Sequence, residues 1–159
     1  MSVDLQRADG RWLLGCFPDP AEAAAQWAAG RGVAVLPCGK VFSAVRVPTR
    51  FVQAAARATD PVGEDAYLAA VLMGGPVICD RYAGWHYALV PPSDGARWDV
   101  AETLWLGPGA VVGVPRPDIT SDSGERIYWS VPVSSPGDLC APPAVSQIVA
   151  LGQYRALSR

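Results

Sequence analysis

Hydrophobic positions along this 159-residue chain have helical spacing mainly in the first half and extended spacing in most of the second half. Apolar residues at helical spacing, together with capping signals, predict four helices. These cover about 20–29, 49–58, 64–74 and 143–157. Asp19 is expected to cap the first of them and Thr49 the second, because short oxygen-bearing side chains satisfy the free amides of a first turn.

Short runs rich in β-branched and aromatic residues predict the strands. They cover about 33–36, 41–47, 76–80, 85–90, 103–106, 110–114 and 127–131. A weak hairpin is also predicted over residues 3–17, because Asp9-Gly10 is a turn signal between two apolar stretches. Strands that cluster late, without strict alternation with helices, predict an α+β fold with a mainly antiparallel sheet flanked by helices.

Composition indicates one folded domain over residues 1–159. Hydrophobic residues make up 50% of the chain and charged residues 18%, which is too apolar for a disordered segment. No stretch approaches the roughly 18 unbroken apolar residues of a membrane helix. The first residues also lack the basic-then-apolar layout of a signal peptide. We therefore expect a cytoplasmic protein without a membrane partner.

Charge and residue counts limit the chemistry. The chain has one lysine, Lys40, and one histidine, His86, so His-rich metal sites are excluded. A net charge of -2 argues against strong nonspecific binding of duplex DNA. The count does not exclude a local cluster of arginines that binds nucleic acid. The four cysteines have apolar neighbours and form no Cys-x-x-Cys pair, so we expect buried free thiols.

Three blocks of sequence resemble one family in its order. Residues 21–40 combine an Ala-rich helix, a glycine, a short apolar strand, a proline and Gly-Lys. Residues 84–91 contain Gly-Trp-His on a strand, and residues 107–129 contain a glycine turn, a strand ending in proline, Ser-Gly and Tyr-Trp. Over about 20–132 the chain resembles the N-terminal domain of bifunctional DNA primase/polymerases (prim-pol). The resemblance implies an RRM-like core sheet, and a nucleotide-phosphate contact at His86.

The chain departs from that family at the acids that hold its two metals. Phosphoryl transfer of this kind needs carboxylates close together around Mg²⁺ or Mn²⁺. The early strand, residues 42–47, contains no acid where the family has Asp-x-Asp, and only Glu102 lies near the third position. The remaining candidates for a substituted site are Asp60, Glu64, Asp65, Asp80 and Glu102. Catalysis by the family mechanism is therefore not expected.

Three functions follow as hypotheses. The first is a catalytically degenerate primase/polymerase-like domain that binds a nucleotide or single-stranded nucleic acid without turnover. Its phosphate-binding residues would be His86, Lys40, Arg46 and Arg81, with no metal and no cofactor. Four aromatic residues have two interpretations: they belong to the core, or their rings stack on the bases of a single strand. These residues are Trp98, Trp105, Tyr128 and Trp129. The second hypothesis is a protein-interaction or regulatory module. The third is an active nucleotidyltransferase with relocated acids and Mg²⁺ or Mn²⁺.

Overall fold

A computed structural model describes residues 8–17 and 19–157, with side chains from Gly10 onward. Within these ranges the helices are α1 Ala8–Leu14, α2 Pro20–Ala28, α3 Thr49–Ala56, α4 Pro61–Val71 and α5 Pro142–Leu157. The strands are β1 Val33–Pro37, β2 Ser43–Pro48, β3 Val77–Asp80, β4 Trp85–Val90, β5 Leu104–Leu106, β6 Val111–Pro115 and β7 Ile127–Val131.

The strands form two sheets. Five of them lie in the order β5-β2-β4-β3-β7, and β1 pairs with β6 in a separate two-stranded sheet. Every pairing between these strands is antiparallel. This confirms the predicted α+β fold with an antiparallel sheet flanked by helices.

Four strands of the larger sheet have the RRM-like arrangement. β2 and β3 are joined by α3 and α4, and β4 lies between them, which is a split β-α-β unit. β5 pairs with the other edge of β2. A regular RRM-like unit returns from its third to its fourth strand through a helix, whereas here residues 91–103 make that connection without one. The C-terminal helix α5 packs beside α3 instead.

Each face of the five-stranded sheet has its own core. On the inner face, Val45, Val77 and Val90 pack under α3, α4 and α5. On the outer face, Ala44, Ile78 and Leu89 pack under the β1-β6 sheet, α1 and α2. Because successive residues of a strand point to opposite faces, neighbours such as Ala44 and Val45 belong to different cores.

Local signals explain most element boundaries. The side chain of Asp19 accepts a hydrogen bond from the Ala21 amide and caps α2, as expected. The predicted hairpin is wrong over residues 8–14, which form α1, while residues 3–7 lie outside the described part. Asp9-Gly10 sits inside that helix because burial of Leu13 against the outer core outweighs a weak local turn preference.

Thr49 does not cap α3 as expected. Pro48 occupies the N-cap position and makes no side-chain cap bond. The Thr49 hydroxyl is directed to His86 instead, at 2.8 Å from its Nδ1. The Thr49 hydroxyl therefore forms a hydrogen bond with the buried imidazole of His86, and no side chain caps the start of α3.

Two further expectations concern burial. All four cysteines are free and buried, which confirms that prediction. Among the residues that the structure describes, no helix is long and apolar enough to cross a membrane.

Candidate functional site

His86 projects from β4 into the inner face of the sheet. It pairs with Val47 of β2 and Cys79 of β3. Directly opposed residues of antiparallel strands project to the same face, and Val47 belongs to the inner core, so the imidazole lies beneath the helices. Only 2% of His86 is exposed. A ligand in solvent therefore has no access to this ring in the structure as it stands.

A buried carboxylate lies beside His86. Glu64, in the first turn of α4, is fully buried. Its Oε1 is 2.5 Å from Arg81 Nη1, and its Oε2 accepts a 3.0 Å hydrogen bond from the Gln53 amide. A buried charge requires such partners, because desolvation otherwise disfavours it. We call these residues the Glu64 cluster: Glu64, Arg81, Gln53, His86 and Thr49.

The tautomer of His86 follows from its two neighbours. The Thr49 hydroxyl is 2.8 Å from Nδ1, while Nε2 lies 3.8 Å from the Glu64 carboxylate without a hydrogen-bond partner. A lone pair on Nε2 would face a carboxylate, so the proton belongs on Nε2 and Thr49 donates to Nδ1. Burial, with a smaller contribution from the Arg81 charge, lowers the pKa of His86 to about 3. The ring is therefore neutral near pH 7.

Arg81 is already engaged. Although its partial burial works against the charge, the bonded Glu64 carboxylate raises the pKa of Arg81 above the ordinary value. Its Nη2 also donates to the Thr59 carbonyl at 3.1 Å. A phosphate at Arg81 would have to displace Glu64 and leave that carboxylate buried and unpaired, which is costly.

The four residues expected to bind phosphate do not share one cleft. Arg46 follows Val45 and precedes Val47 in β2, so it projects to the outer face, opposite His86. Lys40 is exposed before the first residue of β2, at the other end of that strand from Arg46. Only His86 and Arg81 come together, and both belong to the Glu64 cluster. Arg46 and Val47 are neighbours in β2 and project to opposite faces, so Arg46 lies on the other side of the sheet from His86.

A second group of residues lies on the outer face, where their side chains stay at least partly exposed despite the β1-β6 sheet. The Arg46 guanidinium lies over the Trp85 ring, 4.1 Å from its centroid. Arg46 pairs across strands with Tyr87 and Leu104, and Trp85 pairs with Asp80. All of these side chains are at least partly exposed. We call this group the outer-face patch: Arg46, Trp85, Tyr87, Asp80 and Leu104.

The β3-β4 turn extends the patch with a second arginine on an aromatic ring. Arg126 lies over Tyr82, 4.7 Å from its centroid, and 78% of Tyr82 is exposed. Among the described residues, neither Arg46 nor Arg126 has a carboxylate within ion-pair distance. Their charges are therefore available to a ligand, unlike that of Arg81.

The candidate acids for a relocated metal site are dispersed. Asp60 caps α4 through the Gly63 amide, and the Asp80 side chain accepts from Ala83 in the β3-β4 turn. The other three acids each have a different partner: Glu64 with Arg81, Asp65 with Ser130 and Glu102 with Arg50. No group of three His, Cys, Asp or Glu side chains in the described ranges has the geometry to hold a metal ion.

Sequence reasoning missed Trp85, Tyr82 and Arg126. Arg46 lies beside Trp85 because of the register in which β2 pairs with β4. The local sequence pattern does not specify which residues of two strands will face each other, so this contact could not be predicted. Tyr128 and Trp129, considered as platforms for bases, are 3% and 1% exposed and belong to the core.

Comparison with protein-family models, with curated proteins and with solved structures finds no significant match for this chain.

Proposed function

We propose that this chain binds single-stranded nucleic acid without turnover, and that it does so across the outer-face patch and the adjacent β3-β4 turn. The observation that carries the proposal is the pair of arginine-on-aromatic contacts, Arg46 on Trp85 and Arg126 on Tyr82, at one end of the sheet. This relocates the nucleotide-binding hypothesis from His86 to the opposite face, and it keeps Arg46 from the original set.

Stacking supplies the recognition. Single-strand binders combine aromatic side chains, on which successive bases stack, with cations that follow the backbone. RRM-like sheets use the face opposite their helices in this way. Here the β1-β6 sheet covers part of that face. Among the described residues, the patch end and the exposed Tyr82 ring are open to a short stretch of nucleotides.

Arginine supplies the charge. The Nε of Arg46 is buried without a hydrogen-bond partner, and its guanidinium has no carboxylate partner among the described residues. Asp80 in the same patch opposes it, so the local excess of positive charge is small. Affinity should therefore be modest and should come mainly from stacking, which agrees with an overall charge of -2.

The decisive experiment is fluorescence anisotropy with a labelled oligothymidylate. We expect Tyr82→Ala and Arg126→Ala each to weaken binding by about tenfold, since a stacked base contributes about 1–3 kcal/mol. Two arginine–phosphate contacts predict a slope of about -1.4 in log K against log salt. Addition of Mn²⁺ and nucleoside triphosphates should produce no primer extension.

Matched controls lie elsewhere on the surface. Tyr154→Ala removes a tyrosine that is 70% exposed on α5, and Arg97→Ala removes an exposed arginine in the connection before β5. Both should bind the oligonucleotide like the parent chain. The proposal fails if the parent shows no saturable binding at low salt, or if all four variants bind alike. Metal-dependent extension of a primer would establish the nucleotidyltransferase alternative.

A further inference from the structure

A groove that shares no residue with the outer-face patch opens between residues 93–100, strand β5 and the N-terminus of α5. Its volume is about 650 Å³, within the range of about 300–1,000 Å³ typical of ligand pockets. Its lining includes an aromatic wall of Trp98 and Trp105, and also Pro142 and Pro143. We call it the tryptophan groove. It occupies the place where a loop replaces the second helix of an RRM-like unit.

The aromatic wall is fixed from behind. The Trp98 indole donates to the Thr103 hydroxyl at 2.9 Å, and the Trp105 indole donates to the Ser93 carbonyl at 3.0 Å. Gly95 has a φ of 73° and packs so closely on Trp105 that a Cβ at this position would collide with the ring. With both N–H groups satisfied within the protein, the rings offer a ligand their apolar surfaces.

The geometry of the two rings excludes insertion between them. Their centroids are 5.6 Å apart with an interplanar angle of 45°. A flat base inserted between two rings needs about 7 Å, twice the van der Waals separation of about 3.5 Å. A ligand must therefore lie across the rings, as the pyrrolidine of proline does in aromatic-lined peptide grooves.

The polar groups of the groove do not favour phosphate. Pro142 and Pro143 carry no N–H, and the amides of Ala144 and Val145 already donate to the Ala141 carbonyl. The start of α5 therefore lacks the free amides with which helix N-termini bind anions.

The charges of the groove favour a cationic ligand. Asp94 and Asp99 contribute two carboxylates and Arg97 one guanidinium, which leaves one net negative charge beside the indole rings. Aromatic faces with nearby carboxylates attract cations.

We propose that the tryptophan groove binds an extended segment of a partner protein in which proline alternates with arginine or lysine. Proline packs on Trp98 and Trp105, and the basic side chains reach Asp94 and Asp99. Extended proline-rich segments lose little conformational entropy on docking, and the two indoles that would receive them are held in place by hydrogen bonds within the protein. The inference is independent of the nucleic acid surface, because the two sites share no residue.

The test is isothermal titration of the full chain with a short synthetic peptide that alternates arginine and proline. We expect saturable binding, and binding weaker by about tenfold or more with a glutamate–proline peptide of the same length, since a like charge replaces an attraction. A glycine–arginine peptide should also bind more weakly, because it lacks the rings that pack on the indoles.

Two variants place the binding in the groove. Asp99→Lys should weaken binding of the arginine–proline peptide by about tenfold. It should also reduce the difference in affinity between that peptide and the glutamate–proline peptide. Trp105→Ala should abolish binding, and thermal melting must show that this variant is folded. Asp122→Lys, at an exposed acid in the turn Ser121–Ser123, is the charge-matched control and should bind like the parent.

Three outcomes would overturn the proposal. They are the absence of saturable binding by the arginine–proline peptide, equal binding by the glutamate peptide, and equal weakening by Asp99→Lys and Asp122→Lys. Competition by oligothymidylate that Asp99→Lys strengthens would instead assign the groove to nucleic acid, because a lysine there attracts phosphate.

Discussion

At the scale of single residues, His86 shows how burial changes a candidate ligand into a structural group. Its neighbours are the Thr49 hydroxyl, the Glu64 carboxylate and the Arg81 guanidinium. None of these leaves space for a phosphate. The ring joins β4 to α3 and α4 through the Glu64 cluster, so its removal should affect stability more than ligand binding.

The lowered pKa of His86 predicts a specific pH dependence. In the unfolded chain the imidazole takes up a proton below about 6.5, whereas in the folded protein its pKa is about 3. Between these values the unfolded state binds the extra proton. Stability should therefore fall with decreasing pH through this window, by at most about 1.4 kcal/mol per pH unit.

Urea unfolding from pH 7 to pH 4 measures this dependence when the parent chain is compared with His86→Asn. Asparagine retains an acceptor for the Thr49 hydroxyl but does not titrate, so its stability should depend less on pH. Burial raises the pKa of Asp65, which acts in the opposite direction, but Asp65 is present in both chains and cancels in the difference. Parallel pH profiles for the two chains would show that folding does not lower the pKa of His86.

At the scale of elements, the contact between α3 and α5 depends on one missing side chain. Gly152 lies in the interior of α5, where glycine lowers helix stability. A Cβ at this position would collide with the Phe51 carbonyl of α3. The Arg155 guanidinium donates to the Ala55 carbonyl one turn further along. Glycine is therefore retained for close approach of the two helices.

We expect Gly152→Ala to destabilise the protein by about 1–2 kcal/mol. A clash with backbone belongs in the upper part of the overpacking range, at about 2–3 kcal/mol, and a gain of about 1 kcal/mol in helix propensity offsets part of it. Chemical denaturation gives the value. Gln147→Ala, at an exposed position of the same helix, should stay within about 0.5 kcal/mol of the parent. A more stable Gly152→Ala chain would mean that α5 can move away from α3 without loss.

At the scale of the whole molecule, two cores share one sheet. Cys16 and Cys38 lie in the outer core and Cys140 in the inner core, while Cys79 lies near Tyr128. Burial raises the pKa of all four thiols, to about 12, 11, 12 and 11 in that order. Neither layer exposes a reactive thiolate in the native state.

Thiol labelling followed by mass spectrometry should therefore modify almost no native protein, and four sites per chain once it is denatured. We expect the described part of the chain to unfold cooperatively, so the four sites should become labelled in one phase as urea increases. Labelling of Cys16 and Cys38 ahead of Cys79 and Cys140 would show instead that the β1-β6 layer opens separately.

The sequence alone was sufficient for the fold class and for most elements. These features depend on residues close together in the chain, so their local spacing predicts them. They include the capping acid Asp19, the β-branched runs and the late cluster of strands. The α1 segment was mispredicted because its helix depends on burying Leu13 against a core built from distant strands.

Only the tertiary structure decided the sites. The register of β2 on β4 places Arg46 with Trp85 on one face and His86 on the other. The loop in place of a second RRM-like helix brings Trp98 and Trp105 to the N-terminus of α5. Both arrangements join residues far apart in the chain, and a shift of one residue would reverse every side chain of a strand. Composition and local spacing do not specify that register. The sequence therefore determined which side chains are present, and the tertiary structure determined which of them lie together.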